Sequence, residues 1–277
     1  MNPIDPVGFS ISMTGVVRRA GEIAEALRGR AQNHPKLSES SAVKQALTEA
    51  DLRVQEEILQ ALLQDFPDCS LAAEEDTPSV SLFSSEAPAT VIIDPIDGTL
   101  RSYLEGTGPY AVIVGLVLAG RVHAALVAVP QEGIVFRGAV GNGVQGILGA
   151  GEARDIRVRA DGRRILVSHT LEGKLLRALE AEGFEVEPAC GGAIAVAPLI
   201  PGVCAGLRLV ASSAEGGVSI RGRVGVLLAR EAGAHIRGDA GREFPLDLES
   251  PNWSLRITAN EEDQARIERA LEASAES

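Results

Sequence analysis

The stretch Val91-Ile92-Ile93-Asp94-Pro95-Ile96-Asp97-Gly98-Thr99 decides both the fold and the chemistry expected of this chain. The apolar residues before Asp94 predict a β-strand, and Pro95 favours an extended backbone, so the carboxylate is presented at the strand's end. Asp97 follows one tight turn later. Gly98 lets the backbone approach a ligand, and Thr99 offers a hydroxyl and an amide where a phosphate binds well. Two carboxylates beside such amides suit a divalent cation that bridges protein and phosphate.

Two more acidic stretches precede this one, TEAD at residues 48–51 and AEED at residues 73–76. Thr48 and Asp51 form a TxxD pair at the predicted start of a helix, so a cap explains Asp51 by itself. The adjacent acids Glu74, Glu75 and Asp76 repel one another unless they are solvated or neutralised by a cation. When this second stretch is considered alone, a solvated loop explains it better than a metal site does.

Composition excludes several classes of protein. The chain has 277 residues with 26 Lys+Arg and 38 Asp+Glu, a net charge of −12 that argues against binding to a nucleic acid polymer. Its 45% hydrophobic content excludes dominant disorder. Three widely spaced cysteines fit buried thiols better than a disulfide framework or a zinc site. No apolar stretch approaches the roughly 18 residues of a membrane span, and no secretory signal is evident, so we expect a cytoplasmic protein without a membrane partner.

Hydrophobic periodicity divides the chain into two parts. Helices are predicted at residues 13–32 and 48–66, followed by strands at 111–118, 121–129 and 133–140 whose short connections imply an antiparallel meander. Beyond residue 160, strands alternate with helices near 171–182, 192–206 and 222–232, and a last helix follows Asn260. We therefore expect an α+β domain at residues 1–160, which carries the acidic motifs, and an α/β domain at residues 161–277.

The three acidic motifs, in this order and spacing, resemble the inositol monophosphatase superfamily, which includes fructose-1,6-bisphosphatases and phosphoadenosine-type nucleotide phosphatases. DPIDGT is the most specific of them. The meander, the segment ILVSHT and the segment LLAREAGAHIRGDAG extend the resemblance over most of the chain, although it is weak at residues 188–225. The resemblance implies the sugar phosphatase fold. That fold is a layered αβαβα sandwich with an antiparallel sheet in the first half and a smaller mixed sheet in the second.

One competing motif is disfavoured by spacing. Phosphatases of the haloacid dehalogenase type open with DxDGT after an apolar strand, and their nucleophilic Asp lies two residues before the second Asp. Here Pro95 occupies that position and cannot be phosphorylated, so a covalent aspartyl mechanism is disfavoured. The chain also lacks the motifs GxxxxGK[ST], GxSxG and HExxH.

The resemblance implies metal-assisted hydrolysis of a small phosphate monoester, namely a sugar, inositol or nucleotide phosphate. Glu74 and Asp94 would hold a first Mg²⁺ together with the backbone carbonyl of Ile96, and Asp94 and Asp97 would reach a second ion. Thr99, oriented by Asp51, would position and help deprotonate the attacking water, with Glu74 also counted as catalytic. The amides of Gly98 and Thr99 would hold the phosphate. The expected cofactor is one to three Mg²⁺ ions, with Mn²⁺ as a substitute, and the expected assembly is a homodimer.

Position 221 departs from the family pattern. Relatives complete the second metal site from a WDxA-type motif, and an ungapped alignment places Arg221 at its Asp. Three interpretations stay open. Arg221 neutralises the phosphate in place of a metal ion; or Glu215 supplies the lost carboxylate; or hydrolysis is lost and the chain only binds a phosphorylated metabolite or a protein partner. Structural binding of Ca²⁺ by the acidic loops is a fourth, simpler possibility.

His169 is the remaining candidate for the site. It lies in LVSHT, which is similar to a pocket-lining segment of the nucleotide- and sugar-phosphatase relatives. The residue could equally end a strand with no contact to substrate. The family's Asp-x-Tyr-type segment is not recognisable in RLVASSAEGG, which makes plain inositol phosphate a doubtful substrate.

Overall fold

The computed structural model describes residues 4–36, 47–159, 161–210, 219–239, 242–247, 250 and 253–276. Its helices are α1 (Pro6–Leu27), α2 (Glu49–Asp65), α3 (Gly173–Ala181), α4 (Gly191–Ala195), α5 (Ile220–Glu231) and α6 (Glu261–Glu276). Its strands are β1 (Ser70–Ala72), β2 (Ala89–Asp97), β3 (Ala111–Leu118), β4 (Arg121–Val129), β5 (Ile134–Ala139), β6 (Val144–Leu148), β7 (Arg154–Ile156), β8 (Arg164–Ser168), β9 (Glu185–Ala189), β10 (Val203–Arg208), β11 (His235–Arg237) and β12 (Leu255–Thr258).

The larger sheet has seven strands in chain order, β1 to β7. Pairing from β2 to β7 is antiparallel, because each strand returns through a short connection. Only β1 runs parallel to β2, with Ala72 opposite Ile92. This parallel pair brings the residues after β1 beside the carboxyl end of β2, where the DPIDGT motif lies.

The smaller sheet is mixed, with the strand order β11-β12-β10-β8-β9. Its strands β9, β8 and β10 are parallel to one another, whereas β12 is antiparallel to β10 and to β11. The carboxyl ends of three strands therefore share one edge of this sheet. Ligands of open sheets that contain parallel strands commonly bind at that edge.

Helices and sheets alternate in five layers. Helices α1 and α2 cover one face of the larger sheet, α4 and α5 lie between the two sheets, and α3 and α6 cover the outer face of the smaller sheet. Three apolar cores correspond to these interfaces, and aliphatic side chains and alanine supply most of their members. The predicted αβαβα sandwich, with one mainly antiparallel and one smaller mixed sheet, is confirmed.

One predicted helix is wrong. A helix was expected over residues 192–206, but α4 ends at Ala195, a 3₁₀ turn covers Ala197–Leu199, and β10 begins at Val203. Pro198 and Pro201 remove backbone donors from the expected helix, and Gly202 has a φ of +77°, so the chain turns into a strand instead. The first helix also begins earlier than expected, at Pro6, because the Asp5 side chain caps it by accepting from Val7 N and Gly8 N.

Two further predictions have different outcomes. Cys69, Cys190 and Cys204 are free and buried, as expected. The division into domains at residue 160 stays a prediction, and the largest core contains residues from both sides of it. Within the described residues, none of the helices combines the length and the apolar composition that a membrane crossing demands.

Candidate active site

The candidate site begins at the carboxyl end of β2. Asp94 lies inside this strand rather than at its end, and regular pairing with β3 is interrupted between Asp94 and Asp97. Gly98 then takes a left-handed conformation with a φ of +94°, which glycine adopts without steric cost. One turn of π-helix, Thr99–Leu104, follows directly. Such turns are frequent at functional sites.

Asp94 and Glu74 form the centre of the site. Glu74 follows β1 by two residues, and the parallel pairing of β1 with β2 places it next to Asp94. The side chain of Asp94 is buried, and its Oδ1 atom has no hydrogen-bond partner among the described residues. Burial raises the pKa of Asp94 well above its usual value, and the negative charges of Glu74 and Asp97 raise it further. A positive charge close to these three carboxylates would relieve the repulsion.

Asp97 is held by the smaller sheet's helix α4. Its Oδ2 atom accepts a hydrogen bond from the backbone N–H of Gly192. A β-carbon at position 192 would lie 3.0 Å from this oxygen and 2.7 Å from Ile113 Cδ1, so a larger residue would push both side chains aside. The sequence analysis did not single out Gly192, because it lies 95 positions from Asp97, in a helix rather than in the same sheet.

Thr99 and Asp51 are joined by a hydrogen bond. Thr99 Oγ1 donates to Asp51 Oδ1 at 3.1 Å and also lies 2.8 Å from the carbonyl oxygen of Ile96. The other oxygen of Asp51 accepts from Thr48 N at 2.8 Å and from Thr48 Oγ1 at 2.6 Å. Asp51 is therefore both the cap of α2, as expected, and the partner of Thr99. Burial raises the pKa of Asp51 to about 6, although the hydrogen bonds from Thr48 and Thr99 oppose the rise.

This raised pKa predicts a pH-dependent stability. Asp51 binds its proton more tightly in the folded chain than in the unfolded one, so its ionisation costs stability as the pH rises from 3.8 through about 6. The loss is about 3 kcal/mol when complete. Asp51→Asn removes this dependence and weakens the cap equally at every pH. Urea denaturation at several pH values checks the prediction, and parallel pH profiles for wild type and variant would contradict it.

Arg221 lies beside the acids, as the ungapped alignment predicts. It occupies the first turn of α5, and its Nη2 atom is 3.5 Å from the carbonyl oxygen of Ala73. Its positive charge lowers the pKa of both Asp94 and Glu75, against the stronger effect of burial. Arg221 Nε is buried without a hydrogen-bond partner among the described residues. The guanidinium thus occupies the side of the site that faces residues 73–75.

Glu75 points away from the centre of the site. Its carboxylate forms an ion pair with Lys36 at 2.8 Å, and its backbone N–H donates to Gln55 Oε1 at 3.0 Å. Gln55 Nε2 in turn donates to the carbonyl of Glu75 at 2.6 Å. Glu75 is therefore a support for the loop that carries Glu74. Lys36 was missed in the sequence, since its partner lies 39 residues away.

His169 has no contact with the acids among the described residues. His169 Nε2 lies 3.0 Å from Thr107 Oγ1 and 2.9 Å from Thr107 O, which fixes the ring on the loop after the π-helical turn. Glu215, proposed as a compensating ligand, lies outside the described residues. Both assignments stay predictions.

The donor set fits one divalent cation better than two. No group of three or more His, Cys, Asp and Glu side chains is arranged for a metal ion in the described part of the chain. Glu74 and Asp94 nevertheless supply two adjacent carboxylates, one with an unpartnered oxygen, and Mg²⁺ is commonly held by one or two carboxylates plus substrate phosphate. The described residues offer less to a second ion, because Asp97 Oδ2 already accepts from Gly192 N–H and the positive charge of Arg221 acts on Asp94.

Known proteins share this fold and these motifs. The model of the inositol monophosphatase family matches residues 11–183. The IMPase of Thermotoga maritima superposes with a TM-score of 0.73 at 21% identity, covering 99% of each chain. The suppressor protein SuhB of Bartonella henselae superposes with a TM-score of 0.70 at 20% identity, covering 95% of this chain and 98% of that one. These two likenesses concern the fold.

Curated relatives match shorter segments. Histidinol-phosphatase of Chlorobaculum parvum is 34% identical over 99 residues, which are 35% of this chain and 36% of that protein. Inositol monophosphatase 1 of Bos taurus is 26% identical over 131 residues, 47% of each protein. The matches thus span less than half of either relative. The chain belongs to the inositol monophosphatase family, and the resemblance inferred from its acidic motifs is confirmed.

Proposed function

We propose that the protein is a Mg²⁺-dependent phosphatase that hydrolyses a small phosphate monoester through an activated water. The observation that carries this proposal is the pair of adjacent carboxylates of Asp94 and Glu74, close to the Thr99–Asp51 hydrogen bond. Asp94 is buried, and its Oδ1 has no hydrogen-bond partner among the described residues. Family membership and the names of the two curated relatives support it. A cytoplasmic location and assembly as a homodimer stay predictions.

Each residue has a separate task in the proposed mechanism. A bound Mg²⁺ on Glu74 and Asp94 would neutralise phosphate oxygens and acidify the attacking water. Thr99 accepts a proton from that water as it passes its own hydroxyl proton to Asp51 Oδ1, so no net charge accumulates on the hydroxyl. Asp51 suits this role, because a pKa of about 6 leaves it ionised yet basic at neutral pH. The amides of Gly98 and Thr99 orient the phosphate.

Arg221 supplies the second positive charge in this proposal. Its guanidinium already lowers the pKa of Asp94, and it carries five donors that suit a phosphate. Transition states of phosphoryl transfer are stabilised by arginine as well as by metal ions. The chain would therefore need one ion rather than the three that the resemblance allows.

A phosphate-release assay tests the function. The panel contains inositol 1-phosphate and histidinol phosphate, suggested by the names of the relatives, together with sugar and nucleotide monophosphates, each at several Mg²⁺ concentrations and with EDTA. We expect Mg²⁺-dependent release from at least one ester, with Mn²⁺ as a substitute. No turnover with any divalent ion, together with measurable ligand binding by calorimetry, would favour the non-catalytic alternative that Arg221 suggests. Thermal stabilisation by Ca²⁺ but not by Mg²⁺ would favour a structural calcium site.

Variants of Arg221 separate the alternatives for this position. We expect Arg221→Gln to lower kcat/KM about 100-fold, because the transition state loses a positive charge, and Arg221→Lys to retain part of it. Arg221→Asp is expected to be at least as inactive as Arg221→Gln. Arg237→Gln, an exposed arginine on β11, is the control and leaves the rate unchanged. An increase in rate on Arg221→Asp would instead show that the site lacks a ligand for a second ion.

A further inference from the structure

Three parallel strands of the smaller sheet deliver residues to the same edge. His169 follows β8, Cys190 and Gly191 follow β9, and Arg208 is the last residue of β10. The register places Leu207 opposite Val167, so Arg208 is level with the end of β8. This edge faces Asp97, because the backbone N–H of Gly192 donates a hydrogen bond to the Asp97 carboxylate. The smaller sheet therefore contributes a cation to the wall of the site.

The surroundings of Gly191 show how close the guanidinium of Arg208 lies to Asp97. A β-carbon at position 191 would lie 3.1 Å from Arg208 Nη1 and 3.6 Å from Asp97 Oδ2. The guanidinium and the carboxylate thus border one small space that glycine leaves without a side chain. Arg208 is partly exposed, whereas Gly191 is buried. A ligand group that enters beside Asp97 meets the guanidinium of Arg208.

Two guanidiniums therefore flank the acids from opposite sides. Arg221 lies on the side of residues 73–75, and Arg208 lies on the side of Asp97. The more remote acid, Glu75, is already balanced by Lys36. Arg208 is thus a second guanidinium at the site, beyond the one assigned to the phosphate. A guanidinium suits a second anionic group, because it can donate two parallel hydrogen bonds to a carboxylate or a phosphate.

We propose that Arg208 binds a second anionic group of the substrate, so that the substrate is a phosphate monoester carrying an additional carboxylate or phosphate. The proposal rests on the phosphatase function proposed above and narrows its substrate class. Phosphate esters whose remaining groups are an amine or only hydroxyls are the disfavoured alternatives. A guanidinium repels an ammonium group, and its hydrogen bond to a hydroxyl is weaker than its bond to an anion. Arg208 also takes part in an interaction within the protein, so a purely structural role is the alternative to test.

Matched pairs of esters test the substrate class. 3-Phosphoglycerate differs from glycerol 3-phosphate by a carboxylate, and fructose 1,6-bisphosphate differs from fructose 6-phosphate by a second phosphate. Phosphoethanolamine serves as the amine-bearing ester. We expect kcat/KM of the wild type to favour the more anionic member of at least one pair about 10- to 100-fold, as for a hydrogen bond between charged groups. The pair that shows the preference identifies the group. No preference in either pair overturns the proposal.

Variants of Arg208 test the residue itself. Arg208→Gln is expected to abolish the preference for the more anionic ester, with at most about a threefold change in kcat/KM for the less anionic member of the pair. Arg208→Lys is expected to keep part of the preference. Arg163→Gln, an exposed arginine just before the amino end of β8, is the control and keeps the full preference. Equal losses for all esters on Arg208→Gln, with a lower melting temperature, would show a structural role and overturn the proposal.

A binding experiment keeps this inference separate from the proposed function. If the wild type hydrolyses none of these esters, calorimetric titration with 3-phosphoglycerate and glycerol 3-phosphate in the presence of Mg²⁺ still measures the contribution of Arg208. Tighter binding of 3-phosphoglycerate, lost in Arg208→Gln, supports the anionic pocket even though hydrolysis has failed. Equal affinities of the wild type for the two esters overturn it.

Discussion

Replacing Asp94 by Asn is expected to lower kcat/KM at least about 1000-fold. Asp94 is the acid whose pKa responds to both Glu74 and Asp97, and its unpartnered Oδ1 is the oxygen best placed to bind a cation. An amide of the same shape keeps the packing but removes the charge that holds the ion. Steady-state phosphate release across a range of Mg²⁺ concentrations measures the loss.

The same variant has a second, opposite signature in stability. A buried carboxylate next to two other acids costs free energy, so Asp94→Asn is expected to raise the melting temperature of the metal-free protein. The rise in melting temperature on adding Mg²⁺ disappears, because the ion no longer binds. Asp76→Asn, an exposed acid of the AEED stretch, is the matched control and changes neither quantity. Full activity of Asp94→Asn would contradict the proposed mechanism.

Replacing Gly108 by Ala is expected to cost more than about 4 kcal/mol of folding free energy and to leave little folded protein. Gly108 has a φ of +79°, and a β-carbon there would lie 1.7 Å from the carbonyl oxygen of Pro188. The loop cannot retreat easily. Gln131 Nε2 donates to Gly108 O, and Cys190 N donates to Pro109 O. Because Cys190 is the N-cap of α4, the damage extends to the helix that holds Asp97.

Gly120→Ala is the matched control for this prediction. Gly120 has a similar φ of +75°, but nothing lies within 4 Å of a β-carbon built there. Only the backbone strain remains, which costs about 1 kcal/mol. Thermal and urea denaturation of both variants measure the difference. Similar losses at the two positions would show that the contact with Pro188 does not limit stability.

Local signals predicted the fold and the positions of the acidic motifs within it. DPIDGT, TEAD and AEED each lie at the end of a strand or the start of a helix, so their positions follow from short-range patterns. The antiparallel meander was equally readable from its turns. The helix expected at 192–206 does not continue past Ala195, because Pro198, Pro201 and Gly202 oppose the helical preference of the alanines.

Contacts between distant segments could not be predicted from those patterns. The Gly192–Asp97 hydrogen bond, the Lys36–Glu75 ion pair and the position of Arg208 all depend on how the two sheets or separate loops pack. The Gly192–Asp97 contact does have a signal in the sequence. The glycine pair directly after a predicted strand, CGG at residues 190–192, indicates a close backbone approach and could have identified the wall of the site.

The guanidinium beside Asp94 has a consequence for how the protein responds to its ionic surroundings. A charge that belongs to the polypeptide is never diluted away or chelated, so the positive charge of Arg221 persists when free magnesium is scarce. Saturation by magnesium should then follow a simple hyperbola with a Hill coefficient near one.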